Sequence, residues 1–368
     1  MKKNHIRRLG AVLLAALWLG LSLWAWLRNP DEISNSERRK LAQFPALSAE
    51  TIKNGTFMTA FEDYSLDQFP LRDAFRQMKS LFHYNVLMQK DNHGIYLADG
   101  FAAKLDYPLD TDSVNGALQK FQNLYETYLS GTDSQILFAV VPDKGYYLAE
   151  ANGYPAMDYE ALFSMVRSGT PWARYVDLTD TLTIDSYYRT DTHWRQEALL
   201  GTASKLCGAL GVAPPEAGAY TVTTLDTSFY GVYYGQAALP MAGETICLLE
   251  NDVTGGCTVY NHENGKTTSV YDLEKLTSRD LYDVYLSGAA ALLTIENPNA
   301  ATDRELIVFR DSFGSSILPL LLGDYKTVTV IDTRYIAPSL LGQFVDFHGQ
   351  DVLFLYSTML LNSSSSLK

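Results

Sequence analysis

Five short apolar runs, each ended by polar residues or proline, constrain the fold of this 368-residue chain most strongly. They lie at residues 135–141, 175–178, 306–309, 328–331 and 352–356. Short runs rich in β-branched and aromatic residues are typical of strands buried on both faces. Because helical patterns separate them, the sequence predicts a three-layer α/β/α domain around a mostly parallel sheet.

Helical periodicity is clearest in three regions. Residues 113–129 predict one helix, residues 49–84 predict two helices broken near Pro70, and a third region predicts a helix that follows His193 and ends near Gly211. Residues 214–290 are instead rich in Thr, Tyr, Val and Gly, which indicates an irregular β-rich insertion. The serine-rich tail at 363–366 is expected to be frayed.

The amino terminus combines a basic leader with an apolar stretch. No charged residue occurs in residues 9–27, and four basic residues precede them: Lys2, Lys3, Arg7 and Arg8. Nineteen helical residues rise about 28 Å, close to the roughly 30 Å hydrocarbon core of a bilayer. Bulky Trp24 and Trp26 stand where a signal peptidase needs small residues, so an uncleaved anchor with everything after Pro30 outside is the preferred interpretation. A cleaved signal peptide is the alternative.

Composition excludes some classes of function. The formal net charge of -13 argues against a nucleic-acid partner, which requires Lys and Arg to neutralise phosphates. Three cysteines make an odd number, so no disulfide framework is expected. Cys207 falls on an apolar helix face and is expected in the core, whereas Cys247 and Cys257 either pair across a hairpin or remain buried thiols. The sequence predicts no metal site and no cofactor.

Two distant segments carry residues suited to nucleophilic catalysis. The first contains Asp191 and His193, and the second places Ser312 just after the apolar run at 306–309. Acyl transfer through serine needs a nucleophile, a base and a carboxylate that orients the base. Ser312, His193 and Asp191 can fill these roles. Taken singly, each has a structural alternative, since Ser312 or Asp191 could cap a helix and His193 could be a buried structural histidine.

With these segments in view, the chain resembles the DHHW family of bacterial surface proteins. More distantly, it is similar to the alginate O-acetylation proteins, whose catalytic domain is a circularly rearranged SGNH-hydrolase fold. The matching motifs are 191–194, 311–313, 36–45, 61–72, 141–144, 283–286, 332–335 and 352–356. One position departs from the family motif, since Thr192 stands in place of its second histidine.

The resemblance implies a flavodoxin-like SGNH-hydrolase fold with an acyl-serine intermediate on Ser312. The expected organisation is a membrane anchor at 1–28, a juxtamembrane linker and helical region at 29–84, and a catalytic domain at 85–368 with its insertion at about 214–290. The Ser312 backbone N–H is a natural oxyanion donor. Three further side chains are candidates for binding substrate or the oxyanion: Lys144 and Arg334, which each follow a predicted strand, and Tyr285. A surface position or an ion pair is the alternative for Lys144 and Arg334.

Three classes of function follow. The first is an extracytoplasmic, single-pass O-acyltransferase of the cell membrane that acetylates a cell-surface polysaccharide, with a membrane-bound O-acyltransferase as acyl donor. The second is a carbohydrate esterase, because the same residues serve when water attacks the acyl-enzyme. The third is a glycan-binding scaffold that retains the fold without turnover.

Overall fold

The chain groups into two units in the computed structural model, which describes residues 2–34, 36–239 and 241–368. The first unit is Met1–Asn92 with Tyr234–Pro240, and the second is His93–Tyr233 with Met241–Lys368. Up to Asn92 the elements are α1 (Lys2–Leu27), β1 (Ile33–Ser34), β2 (Arg39–Lys40), α2 (Ala49–Lys53), α3 (Thr56–Asp67), α4 (Arg72–Asn85) and β3 (Asp91–Asn92).

The expected apolar helix is present in the first unit as α1. Its segment Arg7–Leu27 is long and apolar enough to cross a membrane. The expected break near Pro70 is confirmed, because Leu71 adopts the left-handed conformation with φ 58° before α4 begins. A second break at Gly55, where φ is 80°, separates α2 from α3, so three helices form where two were predicted.

Beyond Asn92 the chain contains the remaining helices and strands. The helices are α5 (Thr111–Leu124), which continues as a π-helical turn (Tyr125–Leu129), α6 (Lys144–Leu148), α7 (Tyr159–Gly169), α8 (Leu200–Leu210), α9 (Val232–Ala237), α10 (Asp252–Gly256), α11 (Gly314–Ile317) and α12 (Thr358–Asn362). The strands are β4 (Ile95–Ala98), β5 (Phe101–Lys104), β6 (Ile136–Val141), β7 (Arg174–Val176), β8 (Thr221–Thr224), β9 (Cys247–Glu250), β10 (Thr258–Asn261), β11 (Lys266–Thr268), β12 (Leu292–Glu296), β13 (Arg304–Arg310), β14 (Tyr325–Ile331) and β15 (Asp351–Ser357).

Short 3₁₀ turns connect these elements. They are Glu150–Asn152, Thr179–Thr181, Ile184–Ser186, Gln196–Ala198, Ala217–Ala219, Leu273–Thr277, Leu281–Val284, Leu318–Leu321, Pro338–Gln343 and Ser364–Ser366.

The main sheet has eight strands in the order β11-β10-β12-β14-β13-β15-β6-β7. The five strands from β14 to β7 are parallel to one another, with Val308 opposite both Val330 and Leu353. Three strands extend the sheet beyond β14, each antiparallel to its neighbour: β12 pairs with β14, β10 with β12, and β11 with β10. Of these, β10 and β11 come from the β-rich insertion. The predicted mostly parallel sheet is therefore confirmed.

Helices cover the sheet on both faces. On one face α5 and α7 pack on Phe138, Phe309 and Phe354, whose rings stack across three neighbouring strands. On the other face α8 and the segment that follows Ser312 pack on the alternate side chains, such as Val308 and Leu353. This alternation inside each strand produces the three layers, and the predicted three-layer architecture is confirmed.

The structure corrects two predictions, on the helix after His193 and on the carboxyl-terminal tail, and decides the state of the cysteines. The helix predicted directly after His193 begins only at Leu200, although it ends as expected with Gly211 in the left-handed conformation, φ 68°. The tail is not frayed, because Ser364 is buried and donates two hydrogen bonds to Ser113, from its N–H to the hydroxyl (2.7 Å) and from its hydroxyl to the carbonyl (2.6 Å). All three cysteines are buried, unpaired thiols, which decides between the two alternatives for Cys247 and Cys257.

Candidate active site

Ser312 lies in the tight turn between β13 and α11, at the carboxyl edge of the sheet. The neighbouring Asp311 shapes this turn, since its carboxylate accepts the N–H of Phe313 (3.0 Å) and the N–H of Ser357 (2.8 Å) at the end of β15. Gly314 follows because a Cβ there would meet the Arg310 side chain at 2.9 Å. The serine is thus held between two parallel strands, where α/β folds place their ligands.

His193 reaches the same edge on an irregular segment rather than on a helix. Tyr187 and Trp194 form an isolated antiparallel bridge, and the Tyr188 N–H donates to the His193 carbonyl (3.1 Å). The fully buried Trp194 donates its indole N–H to the Phe313 carbonyl (2.9 Å). The histidine segment is therefore tied directly to the turn that carries Ser312.

The three predicted residues form one hydrogen-bonded chain. Ser312 Oγ lies 2.8 Å from His193 Nε2, and His193 Nδ1 lies 2.6 Å from Asp191 Oδ1. The fully buried Asp191 carboxylate can only accept when ionised, so we assign the imidazole proton to Nδ1. This tautomer leaves the Nε2 lone pair facing the serine hydroxyl.

Asp191 is fixed by backbone groups that the sequence did not point to. Its Oδ1 accepts the N–H of His193 (3.0 Å), and its Oδ2 accepts the N–H of Val232 (2.8 Å), which lies in the insertion. The chain approaches closely here, since a Cβ at Gly231 would lie 2.3 Å from the Asp191 backbone. Glu244, also from the insertion, accepts the N–H groups of Arg189 and Thr190 at 2.8 Å each.

Tyr282 is a further residue of the site that the sequence analysis did not identify. Its ring stacks on the His193 imidazole at a centroid distance of 3.9 Å and an interplanar angle of 8°. Its hydroxyl hydrogen-bonds with Ser316 Oγ (2.8 Å), and burial raises the pKa of the phenol well above its usual value. A cation that forms on the imidazole would face an aromatic ring, which attracts it.

Lys144 lies behind the histidine segment. Its ammonium donates to the carbonyls of Tyr188 (3.0 Å) and Arg189 (3.3 Å) and sits over the Tyr233 ring. Burial lowers the pKa of Lys144 to about 7, against the opposing effect of the nearby Asp191 carboxylate. Lys144 thus supports the backbone that leads into Asp191.

The other two candidates are also engaged elsewhere. The buried Tyr285 donates its hydroxyl to the Cys247 carbonyl (2.7 Å). Arg334 follows β14, the strand beside β13, and forms a bidentate pair with Asp332 at 2.9 and 2.6 Å. Desolvation by burial acts to lower the pKa of Arg334, but the Asp332 carboxylate outweighs it and raises the pKa above its usual value.

Thr192, the position at which the chain departs from the family motif, turns away from the serine. Its hydroxyl donates to Met359 Sδ (3.4 Å) and accepts from the Tyr233 hydroxyl (3.1 Å). The chain Ser312–His193–Asp191 is thus complete without a second histidine at this position. Among the residues that the structure describes, no group of three or more His, Cys, Asp or Glu side chains could hold a metal ion.

Fold and site together define a three-layer α/β protein with serine, histidine and aspartate at the carboxyl edge of its sheet. The DHHW protein family model matches residues 177–331, a range that includes Asp191, His193 and Ser312. The resemblance to the DHHW family expected from the sequence motifs is therefore confirmed.

Solved structures share this fold. A DHHW family protein from Eubacterium siraeum is 22% identical with a TM-score of 0.58, over 75% of this chain and 94% of its own. PatB1 of Bacillus cereus, solved with a sulfonyl adduct, is 19% identical with a TM-score of 0.58, over 73% and 95%. A further structure of PatB1 of Bacillus cereus is 19% identical with a TM-score of 0.56, over 73% of this chain and 96% of its own. No curated protein sequence matches the chain.

Proposed function

We propose that this chain is a membrane-anchored, extracytoplasmic O-acyltransferase that moves acetyl groups onto hydroxyls of a cell-surface polysaccharide through an acyl-serine on Ser312. The observation that carries the proposal is the continuous chain of short hydrogen bonds from Ser312 Oγ through His193 to Asp191. A hydroxyl with a lone pair of a base within 3 Å can lose its proton as it attacks a carbonyl.

The first half-reaction would load the enzyme. Ser312 Oγ attacks the carbonyl carbon of the acyl donor while its proton passes to His193 Nε2, and the Asp191 carboxylate stabilises the imidazolium through Nδ1–H. The tetrahedral intermediate then collapses, the bond to the leaving group breaks, and the imidazolium returns its proton to that group. Tyr282 would stabilise the transient cation from its ring face.

The second half-reaction would reverse these roles. A sugar hydroxyl gives its proton to His193 Nε2 and attacks the acyl carbonyl, after which the ester bond to Ser312 breaks and Oγ recovers the proton. The N–H of Ser312 is a suitable oxyanion donor, because no hydrogen bond in the described part of the chain uses it. Lys144 and Tyr285 are weaker candidates for this role, since both donate to backbone carbonyls.

The apolar helix α1 supports the anchored part of the proposal. Its basic leader favours a cytoplasmic amino terminus, which would leave the remainder of the chain outside. Anchoring raises the local concentration of the enzyme near a membrane-bound O-acyltransferase, the proposed donor, and near the growing envelope polymer.

Labelling with an activated acetyl ester tests the proposal. Intact-mass spectrometry of the full chain should show one added acetyl group that Ser312→Ala removes and the matched Ser315→Ala retains. If Ser312→Ala acquires the label at the wild-type rate, the acyl-serine is disproved. Label that leaves to water but never to a glycan hydroxyl would identify an esterase, and glycan binding without any label would identify a scaffold.

A deletion strain tests the acceptor. We expect lower O-acetylation of a surface glycan, restored by the wild-type gene and not by the gene for Ser312→Ala. Unchanged acetylation in a strain without a second homologous gene would argue against the transferase.

A further inference from the structure

Helix α4 in the first unit presents its apolar residues outward. Six residues along it, its flanking positions included, form what we name the outer stripe, and each is between 40% and 62% exposed: Leu71, Phe75, Met78, Leu81, Phe82 and Val86. Their spacing of three, four and seven residues places them on one side of the helix.

The opposite side of α4 is polar and faces the interior of the unit. Arg76 donates to the Gly235 carbonyl (2.7 Å) and pairs with Glu37 (3.3 Å), and Arg72 also pairs with Glu37. The fully buried Ser80 donates to the Ala237 carbonyl (2.7 Å). These polar contacts fix the orientation of α4, so its apolar side faces outward.

Helix α5 provides an internal comparison. Both helices are 14 residues long, yet α5 buries its apolar side chains, including Val114, Phe121 and Leu124, against the sheet. A helix of a water-soluble protein is expected to do the same. An inverted helix with a contiguous apolar surface indicates contact with an apolar phase or partner.

The outer stripe is continuous with the apolar helix α1. Phe69 contacts the ring of Phe75 (5.5 Å) on one side and the ring of Trp18 (6.0 Å) on the other. These contacts place the start of α4 beside α1, so the outer stripe and the apolar surface of α1 are neighbours within the first unit.

We infer that the outer stripe of α4 lies in the lipid interface of the membrane that α1 crosses, as a second, in-plane membrane contact. Lys79, which is exposed at the flank of the stripe, suits a side chain that extends from the interface to the headgroups. The inference rests on the proposed anchorage by α1 but is independent of the chemistry at Ser312.

Depth-dependent fluorescence quenching in vesicles tests the inference. Single cysteines at Met78, Phe82, Asp73 and Leu14 of the full chain are labelled with an environment-sensitive fluorophore, with wild type as the blank because its three thiols are buried. The proteins are reconstituted into phosphatidylcholine–phosphatidylglycerol vesicles that contain nitroxide lipids. Asp73 is the matched control, because it is exposed on the same helix but lies outside the outer stripe.

We expect labels at Met78 and Phe82 to lose about half of their fluorescence or more, and the label at Asp73 to lose little, since only the stripe faces lipid. Quenching at Leu14 with none at Met78 and Phe82 would overturn the inference while leaving the anchor intact. Absence of quenching at Leu14 as well would remove the anchorage itself. Energy transfer between labelled copies without lipid quenching would overturn the inference in favour of a second copy of the chain.

Discussion

Trp194 donates its indole N–H to the carbonyl oxygen of Phe313, 2.9 Å away, and its ring meets the Phe313 ring edge-on at 5.5 Å. This single contact connects the residue after His193 to the residue after Ser312. The two motifs are 119 residues apart in the chain, and they meet through this buried pair as well as through the catalytic hydrogen bond itself.

Trp194→Phe tests whether the indole hydrogen bond positions His193 relative to Ser312, because it leaves the catalytic side chains themselves unchanged. Phenylalanine retains an aromatic ring beside Phe313 but loses the hydrogen bond and leaves a small cavity in place of the buried indole, so we expect a loss of stability of about 2 kcal/mol. We also expect kcat for acetyl release or transfer to fall about tenfold, because a small displacement of the base is costly. Stopped-flow acylation and thermal unfolding measure the two effects. An unchanged acylation rate would show that the indole N–H does not align the histidine.

His193→Ala and Asp191→Asn should both lose activity, the histidine variant more severely. The histidine moves the proton, whereas the aspartate orients and stabilises the imidazolium. We expect a loss of about 10³-fold or more for His193→Ala and a smaller loss for Asp191→Asn. Asparagine is preferable to alanine, because it keeps the size of the side chain and one oxygen that can accept a backbone N–H group. Full activity in His193→Ala would exclude the triad.

Tyr282 should stabilise the protonated form of His193 through the stacked ring. In Tyr282→Leu we expect the acylation rate measured by stopped flow to fall about tenfold, because the imidazolium that forms during the reaction loses the ring face. Tyr282→Phe retains the ring and loses only the contact with Ser316, so its acylation rate should remain near that of wild type. An acylation rate that is the same in all three proteins would restrict Tyr282 to packing.

The sequence predicted the parts of the fold that depend on local pattern. Strands buried on both faces, such as β6 and β13, are continuous apolar runs and could be identified directly. Strand β12 was missed because its Thr294 and Glu296 interrupt the apolar pattern. The three antiparallel strands that extend the sheet depend on pairing between distant segments, which no local pattern encodes.

The same distinction between local pattern and contacts of distant segments applies to the candidate site. Asp191, His193 and Ser312 could be proposed because their residue types and family motif specify roles. The residues that surround them could not, since Val232 and Glu244 act on backbone groups across loops. Tyr285 was proposed from a motif, yet Tyr282, three residues earlier in the same segment, is the one that stacks on the imidazole. A 3₁₀ turn at Leu281–Val284 decides which tyrosine faces the histidine.

The carboxyl-terminal tail should contribute to stability. Leu367 is only 3% exposed and packs in the core on the α5 side of the sheet. We expect Leu367→Ala to lower the free energy of unfolding by about 2 kcal/mol or more, as for other buried leucines. The control Lys326→Ala removes an exposed side chain and should change it by less than about 0.5 kcal/mol. Equal melting temperatures for the two variants would indicate a frayed tail after all.

Lys144 should make stability depend on pH above neutrality. Burial lowers the pKa of Lys144 to about 7 in the folded chain, whereas an unfolded lysine titrates near 10.4. Between these values the unfolded chain binds more protons than the folded chain, so stability rises with pH, by at most about 1.4 kcal/mol per unit. Below about pH 7 both states are protonated and the full cost of burying the charge remains.

Lys144→Met removes this contribution, so the comparison with wild type isolates it. We expect the melting temperature of wild type, relative to Lys144→Met, to rise from pH 7 to pH 9.5. The upper limit avoids the tyrosines of the unfolded chain, which ionise near pH 10. Lys144→Met also leaves the carbonyls of Tyr188 and Arg189 without their donor, a loss that pH does not change below that limit. A constant difference in melting temperature across this range would show that Lys144 keeps its proton throughout and that its burial costs less than the geometry implies.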